Sequence, residues 1–356
     1  MNAARGDAAQ APPERPGRAF LWLEQRCNLR CNHCEIWRST DGQGALSLAE
    51  RKRIVDRLRD WLGEGMVLNF LGGELLLLDE IVPLIAHCSS QGVRTTLTTN
   101  GTLIDAATAR RLCEAGLSNI SVSLDSFAPP VHDETRGVPG THARALAGIA
   151  HLTACGANRP VVYVNTLIMR QNLAELPQLV SLVEERGLDG ITFQPIAPPR
   201  LFGSHRAYDA LARLPTIAAL DRLAETLRQR DRRWFRRNPF WPEPAAAAGV
   251  IDELIARQQA GAPVKNSAAD LRCFIDYFRD PLSWLRSTPC TACEAVTITA
   301  RGEIKHCAGE AALGHALRDD LAAVFASDAA RAVRARIGDC KRSCKVLSLN
   351  KEDFYF

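Results

Sequence analysis

Between residues 19 and 197 short apolar runs alternate with stretches whose apolar residues recur every three or four positions. Residues 19–24 form a brief apolar run. Ser47 and Glu50 have the spacing of a capping box and open an amphipathic helix that reaches about Leu62. Residues 67–71 read as a buried strand that stops at Gly72-Gly73, and a helical stretch covers 79–91. The next strand, 93–98, is closed by Asn100-Gly101. Asp105 can cap a helix that ends near Gly116. Residues 119–124 are strand-like and 141–155 helical. Residues 161–168, rich in Val and Ile, form a fifth strand. Asn172 and Glu175 again have capping-box-like spacing ahead of a helix ending at Gly187, and 190–196 is the last strand of the series.

Six strands joined by five helices through short connections predict a parallel sheet, hence an α/β fold. Periodicity leaves open whether that sheet is doubly wound or curves into a partial barrel. In both cases the chemistry belongs at the carboxyl ends of the strands. Residues 201–285 change character: they are helical, with breaks at Pro215, Pro239, Pro242, Pro244 and Pro263. Six arginines between Arg228 and Arg237 read as a solvated helix face, or as a docking patch for an anion. The predicted organisation is a disordered tail (1–17), a catalytic core (18–200), a helical linker (201–285) and a small cysteine-bearing domain (286–356).

Composition narrows the class. The chain has 356 residues, 46% of them hydrophobic, so a real core can be buried. Lys plus Arg number 44 and Asp plus Glu 40, a net charge of +4 that makes no case for nucleic acid. No apolar run has the length of a membrane helix, and the Ala- and Pro-rich start lacks the apolar stretch of a secretory signal. The expected location is the cytoplasm, where thiols stay reduced and clustered cysteines point to metal before disulfide. The twelve cysteines are unevenly placed. Cys27, Cys31 and Cys34 are close together near the start, and Cys290, Cys293, Cys307, Cys340 and Cys344 lie near the end. Cys88, Cys113 and Cys155 sit in helical patterns as small core residues, and Cys273 stands apart.

Cys27-Asn-Leu-Arg-Cys31-Asn-His-Cys34 directly follows the first strand. Three thiolates on one tight loop can hold three irons of a cubane cluster, and leave one iron open. A structural zinc would require a fourth ligand, and His33 is too close to Cys34 to complete a tetrahedron easily. This C-x3-C-x2-C loop after the first strand of a βα series resembles the signature of the radical S-adenosylmethionine (radical SAM) superfamily. Further matches stand at successive strand ends: Gly72-Gly73-Glu74, Thr98-Thr99-Asn100-Gly101, Ser121-Val-Ser123-Leu-Asp125 with Arg136 beyond it, and Gln194-Pro195-Ile196.

The resemblance covers residues 18–200 and implies a partial (β/α)6 barrel. It implies a [4Fe-4S] cluster on Cys27, Cys31 and Cys34 whose open iron chelates S-adenosylmethionine. It assigns cofactor contacts to His33, Gly72, Gly73, Glu74, Asn100, Ser123, Arg136 and Ile196. The glycines are expected to admit the ligand closely, Glu74 to accept from the methionyl ammonium, and Ile196 to pack on adenine. His33 replaces the aromatic residue usual in the family, and Leu75 a proline, which is expected to alter the stiffness of that loop.

Toward the end, Cys290-x11-Gly302-x4-Cys307 looks like a hairpin with a ligand on each side of its turn, followed by Cys340-x3-Cys344. This is similar to the SPASM and twitch extensions of radical SAM enzymes, which form small α+β domains with auxiliary [4Fe-4S] clusters. The resemblance implies one such cluster on Cys290, Cys307, Cys340 and Cys344, with Cys293 as an alternate; four thiolates also suit zinc. A fully ligated second cluster favours oxidation, by dehydrogenation or cross-linking, of a peptide or small natural product. An external electron donor such as flavodoxin or ferredoxin is implied. A redox-neutral reaction such as epimerisation, with Cys273 or Cys293 as hydrogen donor, and a non-enzymatic zinc protein are the alternatives. Peptide-modifying relatives often carry an N-terminal recognition domain, which the short tail here does not supply. His132, Asp133 and Glu134 are acid–base candidates among which nothing in the sequence selects, so no catalytic base is assigned.

Overall fold

The structure, a computed structural model, describes residues 15–34, 36–38, 44–196, 238–290, 292–307, 309–338 and 340, without the side chain of Cys293. The arginine-rich stretch 228–237 and Cys344 lie outside the described residues.

Six parallel strands come first: β1 (Arg18–Glu24), β2 (Val67–Gly72), β3 (Arg94–Thr99), β4 (Asn119–Ser123), β5 (Val161–Ile168) and β6 (Gly190–Pro195). Between them run α1 (Leu48–Leu62), α2 (Ile81–Ser90), α3 (Ala106–Glu114), α4 (Pro129–Arg136), α5 (Thr141–Thr153) and α6 (Leu176–Glu185). The strand order β1 to β6 follows the chain with no reversal. A doubly wound sheet reverses direction at a switch point, so this order resolves the open question in favour of the barrel type. The sequence pattern missed α4, a short helix that starts on Pro129-Pro130 and ends at Gly137 in a left-handed conformation.

Local chemistry explains several boundaries. Ser47 and Glu50 do form a reciprocal capping box on α1, and Asp105 accepts from Thr108 N at the start of α3. Asn172 and Glu175 do not cap a helix. Asn172 is fully buried, accepts from Met169 N and donates to the carbonyls of Leu167 and Asp125, while Glu175 accepts from Ser126 Oγ, Phe127 N and Ala128 N. The spacing resembled a cap, but the two side chains are used to tie the loop after β5 to the loop after β4.

The two faces of the parallel sheet differ. Leu21, Leu68, Phe70, Leu97, Ile120, Val122, Val162, Val164, Ile191 and Phe193 belong to the main hydrophobic core. Register places Asn69 beside Thr96, Thr98 beside Ser121, Ser121 beside Tyr163, and Ser123 beside Asn165, all on the opposite face. A closed barrel fills that face with branched apolar residues; here its β2–β5 part carries hydroxyls and amides, with Phe20, Trp22 and Leu71 toward β1.

The rest of the chain closes the edges. The segment 263–266 covers β6: Ile191 N donates to Pro263 O, Lys265 N to Ile191 O, and the Asn266 amide bonds both N and O of Phe193. This satisfies an otherwise open strand edge. Helices α7 (Pro244–Gln259), α8 (Ala268–Arg279) and α9 (Pro281–Ser287) follow, with a buried aromatic group of Trp241, Tyr277, Phe278 and Trp284. The predicted hairpin is present as β7 (Ala295–Ile298) and β8 (Glu303–Lys305), with β9 (Gly314–His315) beyond it. β7 pairs in parallel with β1, so the sheet has nine strands in the order β6-β5-β4-β3-β2-β1-β7-β8-β9. The cysteine-bearing hairpin thus continues the core sheet. Helices α10 (Leu321–Ala326) and α11 (Asp328–Gly338) complete the described chain, and Trp61 of α1 meets Phe325 edge-on at 5.5 Å.

Candidate active site

The loop from Cys27 to Cys34 leaves the carboxyl end of β1 and is fixed mainly by backbone. Arg30 N donates to Arg136 O at 3.1 Å, Asn32 N to Thr135 O at 3.0 Å, and Asn32 Nδ2 to Glu134 O at 2.8 Å, so the end of α4 is its support. Gly137 allows this contact: its φ is +70°, and a Cβ there would lie 2.3 Å from Arg30 O. Leu29 is buried beneath the loop, and Trp37 Nε1 donates to Cys31 O.

Gly72 and Gly73 line the cleft, and backbone packing behind it also requires them. A Cβ on Gly72 would stand 2.2 Å from Glu24 O, and one on Gly73 2.2 Å from Arg26 O. The glycines therefore let the end of β2 press against the chain that leads into Cys27, and the hydrogen bonds Gly73 N to Glu24 O and Glu74 N to Arg26 O hold the two together. Leu75, in place of proline, is buried and anchors this turn in the core.

Glu74 is buried, accepting from Leu76 N and Thr99 Oγ1 through Oε1 and from Asn100 N through Oε2. Burial raises its pKa despite these bonds. Its carboxylate thus splices the ends of β2 and β3, and retains acceptor capacity toward the cleft it lines. Asn100 Nδ2 donates to Asn28 Oδ1 at 2.8 Å, and Asn28 Nδ2 to Thr102 Oγ1. Asn28 carries no signal in the sequence; only its bond to Asn100 gives it a role.

Arg136 projects from α4 into the same region, ion-paired at 2.8 Å with Asp125, which is fully buried. Burial raises the Asp125 pKa, but the Arg136 charge, His33, His132 and the Leu167 N–H together outweigh it and hold the carboxyl below its ordinary value. Burial pushes the Cys31 thiol up to about 11, against the opposite pull of Arg136, and burial followed by that same charge pushes His33 down to about 4.

Cys27, Cys31, His33, Cys34, Gly72, Gly73, Glu74, Asn100, Ser123 and Arg136 line one open cleft of about 110 Å³, together with Trp37, Thr98 and Thr99. Ile196 is buried at the end of β6, where its carbonyl accepts from Tyr277 Oη, and is not among the lining residues. His132, Asp133 and Glu134 are also outside the lining. His132 is buried and accepts from Asp125 N through Nδ1, so it is the neutral Nε2–H tautomer; burial and Arg136 lower its pKa to about 4. Asp133 caps α5 through Gly140 N, Thr141 Oγ1 and His142 N.

The residues fit an iron–sulfur cluster with a polar ligand. Three soft thiol donors face one cleft, and His33 Nδ1 and Arg136 Nε are buried in its wall with no hydrogen-bond partner. Among the described residues no three His, Cys, Asp or Glu side chains converge as around a single metal ion. A cubane binds each thiolate at a separate corner, so its ligands stand farther apart.

At the other end, Cys290 forms a small apolar cluster with Val333 and Ile337, against which Cys307 and Cys340 pack. Three of the four expected ligands are thus in one neighbourhood, none of the ten described cysteines is in a disulfide, and Cys273 lies elsewhere, on α8. Among the described residues no helix is long and apolar enough to cross a membrane.

Residues 24–183 match the Radical SAM superfamily family model. An AdoMet-dependent heme synthase of Oleidesulfovibrio alaskensis is 33% identical over 172 residues, 48% of this chain and 43% of that protein. A PqqA peptide cyclase of Bradyrhizobium diazoefficiens is 29% identical over 222 residues, 60% of this chain and 55% of that protein. The chain therefore spans about half the length of the curated relatives it matches. The crystal structure of Streptococcus suis SuiB bound to S-adenosylmethionine superposes with a TM-score of 0.65 over 96% of this chain and 76% of that one, at 16% identity, a likeness of fold.

Proposed function

We propose that this chain is a radical SAM enzyme, a reading supported by the match of residues 24–183 to that superfamily, that it cleaves S-adenosylmethionine at a cluster held by Cys27, Cys31 and Cys34, and that it oxidises or cross-links a peptide. The observation that carries this reading is the single cleft in which the three thiols face Gly72–Glu74, Asn100, Ser123 and Arg136. Cys27, Cys31 and Cys34 would hold the cluster and the cleft its S-adenosylmethionine, and when bound the two would supply one-electron reductive cleavage and hydrogen-atom abstraction.

The protein's own contribution is positional and electrostatic. The α4 end holds the cysteine loop still, and Arg136 sets a buried positive charge beside Cys31 that favours the thiolate. Glu74 and Ser123 offer acceptors at the cofactor's polar groups. Beyond Ser123, Asn165 on β5 shares the hydroxyl- and amide-lined face, whose neutral groups suit peptide amides. Cys290, Cys307, Cys340 and Cys344 are the proposed ligands of an auxiliary cluster, the acceptor for the second electron of a net oxidation; an external flavodoxin- or ferredoxin-like donor supplies the first cluster.

Iron and sulfide per chain, counted after anaerobic purification, test both sites. About eight irons, falling to about four and losing all cofactor cleavage in the triple alanine variant of Cys27, Cys31 and Cys34, is the expected result. Cofactor cleavage retained in that variant would sink the assignment. About four irons with zinc retained would remove the electron acceptor and favour redox-neutral chemistry, including epimerisation. A tetrapyrrole substrate is the second reading, favoured by the 33% identity to a heme synthase. Titration with haemin separates the two: a saturable shift of its Soret band at micromolar concentration would overturn the peptide reading.

A further inference from the structure

The segments that carry the C-terminal thiols are joined by a buried hydrogen-bonded chain. His306, the residue before Cys307, is 3% exposed, and Arg334 on α11 is 6% exposed. His306 Nδ1 lies 3.0 Å from Ala295 O, and its Nε2 lies 3.1 Å from Arg334 Nη1. A carbonyl accepts and a guanidinium donates, so the contacts require the neutral Nδ1–H tautomer. Arg334 Nη1 also donates to Phe325 O at 2.7 Å, and the guanidinium stands 4.4 Å from the centre of the Phe325 ring, which meets the His306 ring at 5.1 Å.

We propose that His306 and Arg334 are a positioning pair for the C-terminal cluster site, an inference that rests on the auxiliary-cluster reading above. Ala295 starts β7 just after Cys290, His306 adjoins Cys307, and Arg334 belongs to the helix after which Cys340 N donates to Ile337 O. The chain Ala295–His306–Arg334 therefore ties together the three segments that deliver three thiols. Val333 and Ile337 of the same helix pack with Cys290, but apolar packing is non-directional. The directional bonds set how β7, the end of β8 and α11 sit against one another, as partners behind metal ligands commonly do. The buried guanidinium also opposes the negative charge of thiolate ligands, which favours the reduced cluster.

The test is iron and sulfide content of the anaerobically purified full chain, with a redox titration followed by electron paramagnetic resonance. Arg334→Met keeps the stem and removes donors and charge. His306→Leu removes both hydrogen bonds, whereas His306→Gln can donate to Ala295 O and accept from Arg334. Arg331→Gln, on the exposed side of the same helix, is the control. Arg334→Met and His306→Leu are expected to fall from about eight irons to about four, while His306→Gln and Arg331→Gln stay near eight. Any cluster that Arg334→Met retains is expected to have a lower midpoint potential. Full iron and an unchanged potential in Arg334→Met and His306→Leu would overturn the inference. If both lose all iron through misfolding, His306→Gln decides: about eight irons supports the pair and about four overturns it. Wild-type protein with only about four irons would instead remove the auxiliary-cluster reading, and the inference with it.

Discussion

The two cysteine sites reach similar donor sets by opposite routes. Cys27, Cys31 and Cys34 share one loop, and the backbone bonds of Arg30 and Asn32 to the end of α4 fix its shape. Cys290, Cys307 and Cys340 come from three segments separated by a hairpin and two helices, and they meet around Val333 and Ile337. The first site is written into a short stretch of chain and needs two outside supports, the end of α4 and the turn at Gly72–Glu74. The second is a product of packing. The difference teaches that a local site tolerates change in distant side chains, whereas a site assembled from several segments depends on each contact between them.

Removing ligands probes the comparison most severely. The triple alanine variant of Cys27, Cys31 and Cys34 is expected to lose cofactor cleavage altogether. Cys307→Ser with Cys340→Ser is expected to keep reductive cleavage, measured as 5′-deoxyadenosine formed with dithionite, while losing about half the iron. Loss of cleavage in the second variant would show that the sites are not independent.

The support of the first loop comes next. Asp125→Asn leaves the buried Arg136 cation uncompensated and is expected to cost about 3–5 kcal/mol in chemical denaturation. A change below about 1 kcal/mol would mean that the pair is not what holds Arg136. Gly73→Ala places a Cβ 2.2 Å from Arg26 O, where backbone must move, for about 1–3 kcal/mol and a lowered iron content at the first site only. An equal loss of iron at both sites would contradict the local character of the loop.

The stability of the α4 support also depends on pH. His132 is held neutral with a pKa lowered to about 4, so the unfolded chain binds more protons than the folded one between that value and about 6.5. Stability is full above about 6.5 and is lost as pH falls toward 4, by on the order of 2–3 kcal/mol. His132→Gln, whose amide oxygen can still accept from Asp125 N, is expected to flatten part of that acid limb in thermal melts. An unchanged limb would assign it to other groups.

Much of the core was legible because its signals are short-range. The capping box of Ser47 and Glu50, the Asp105 cap and the strand-ending glycines all act within a few residues of themselves. Where a residue's partner lay far along the chain, the same reasoning misassigned it. Asn172 and Glu175 have the spacing of a cap and instead bind the loop after β4. Asn28, His306 and Arg334 carried no sequence signal, since each has meaning only through a partner brought close by folding.

By itself, then, the amino-acid order determined the βα alternation, the thiol loop after β1 and the motifs at successive strand ends, because periodicity and spacing are local properties of a chain. Tertiary structure alone decided that the strand order runs without reversal, that β7 joins the core sheet beside β1, and that His306 meets Arg334. Those outcomes depend on which distant surfaces bury one another, and burial is a property of the whole fold rather than of any one segment.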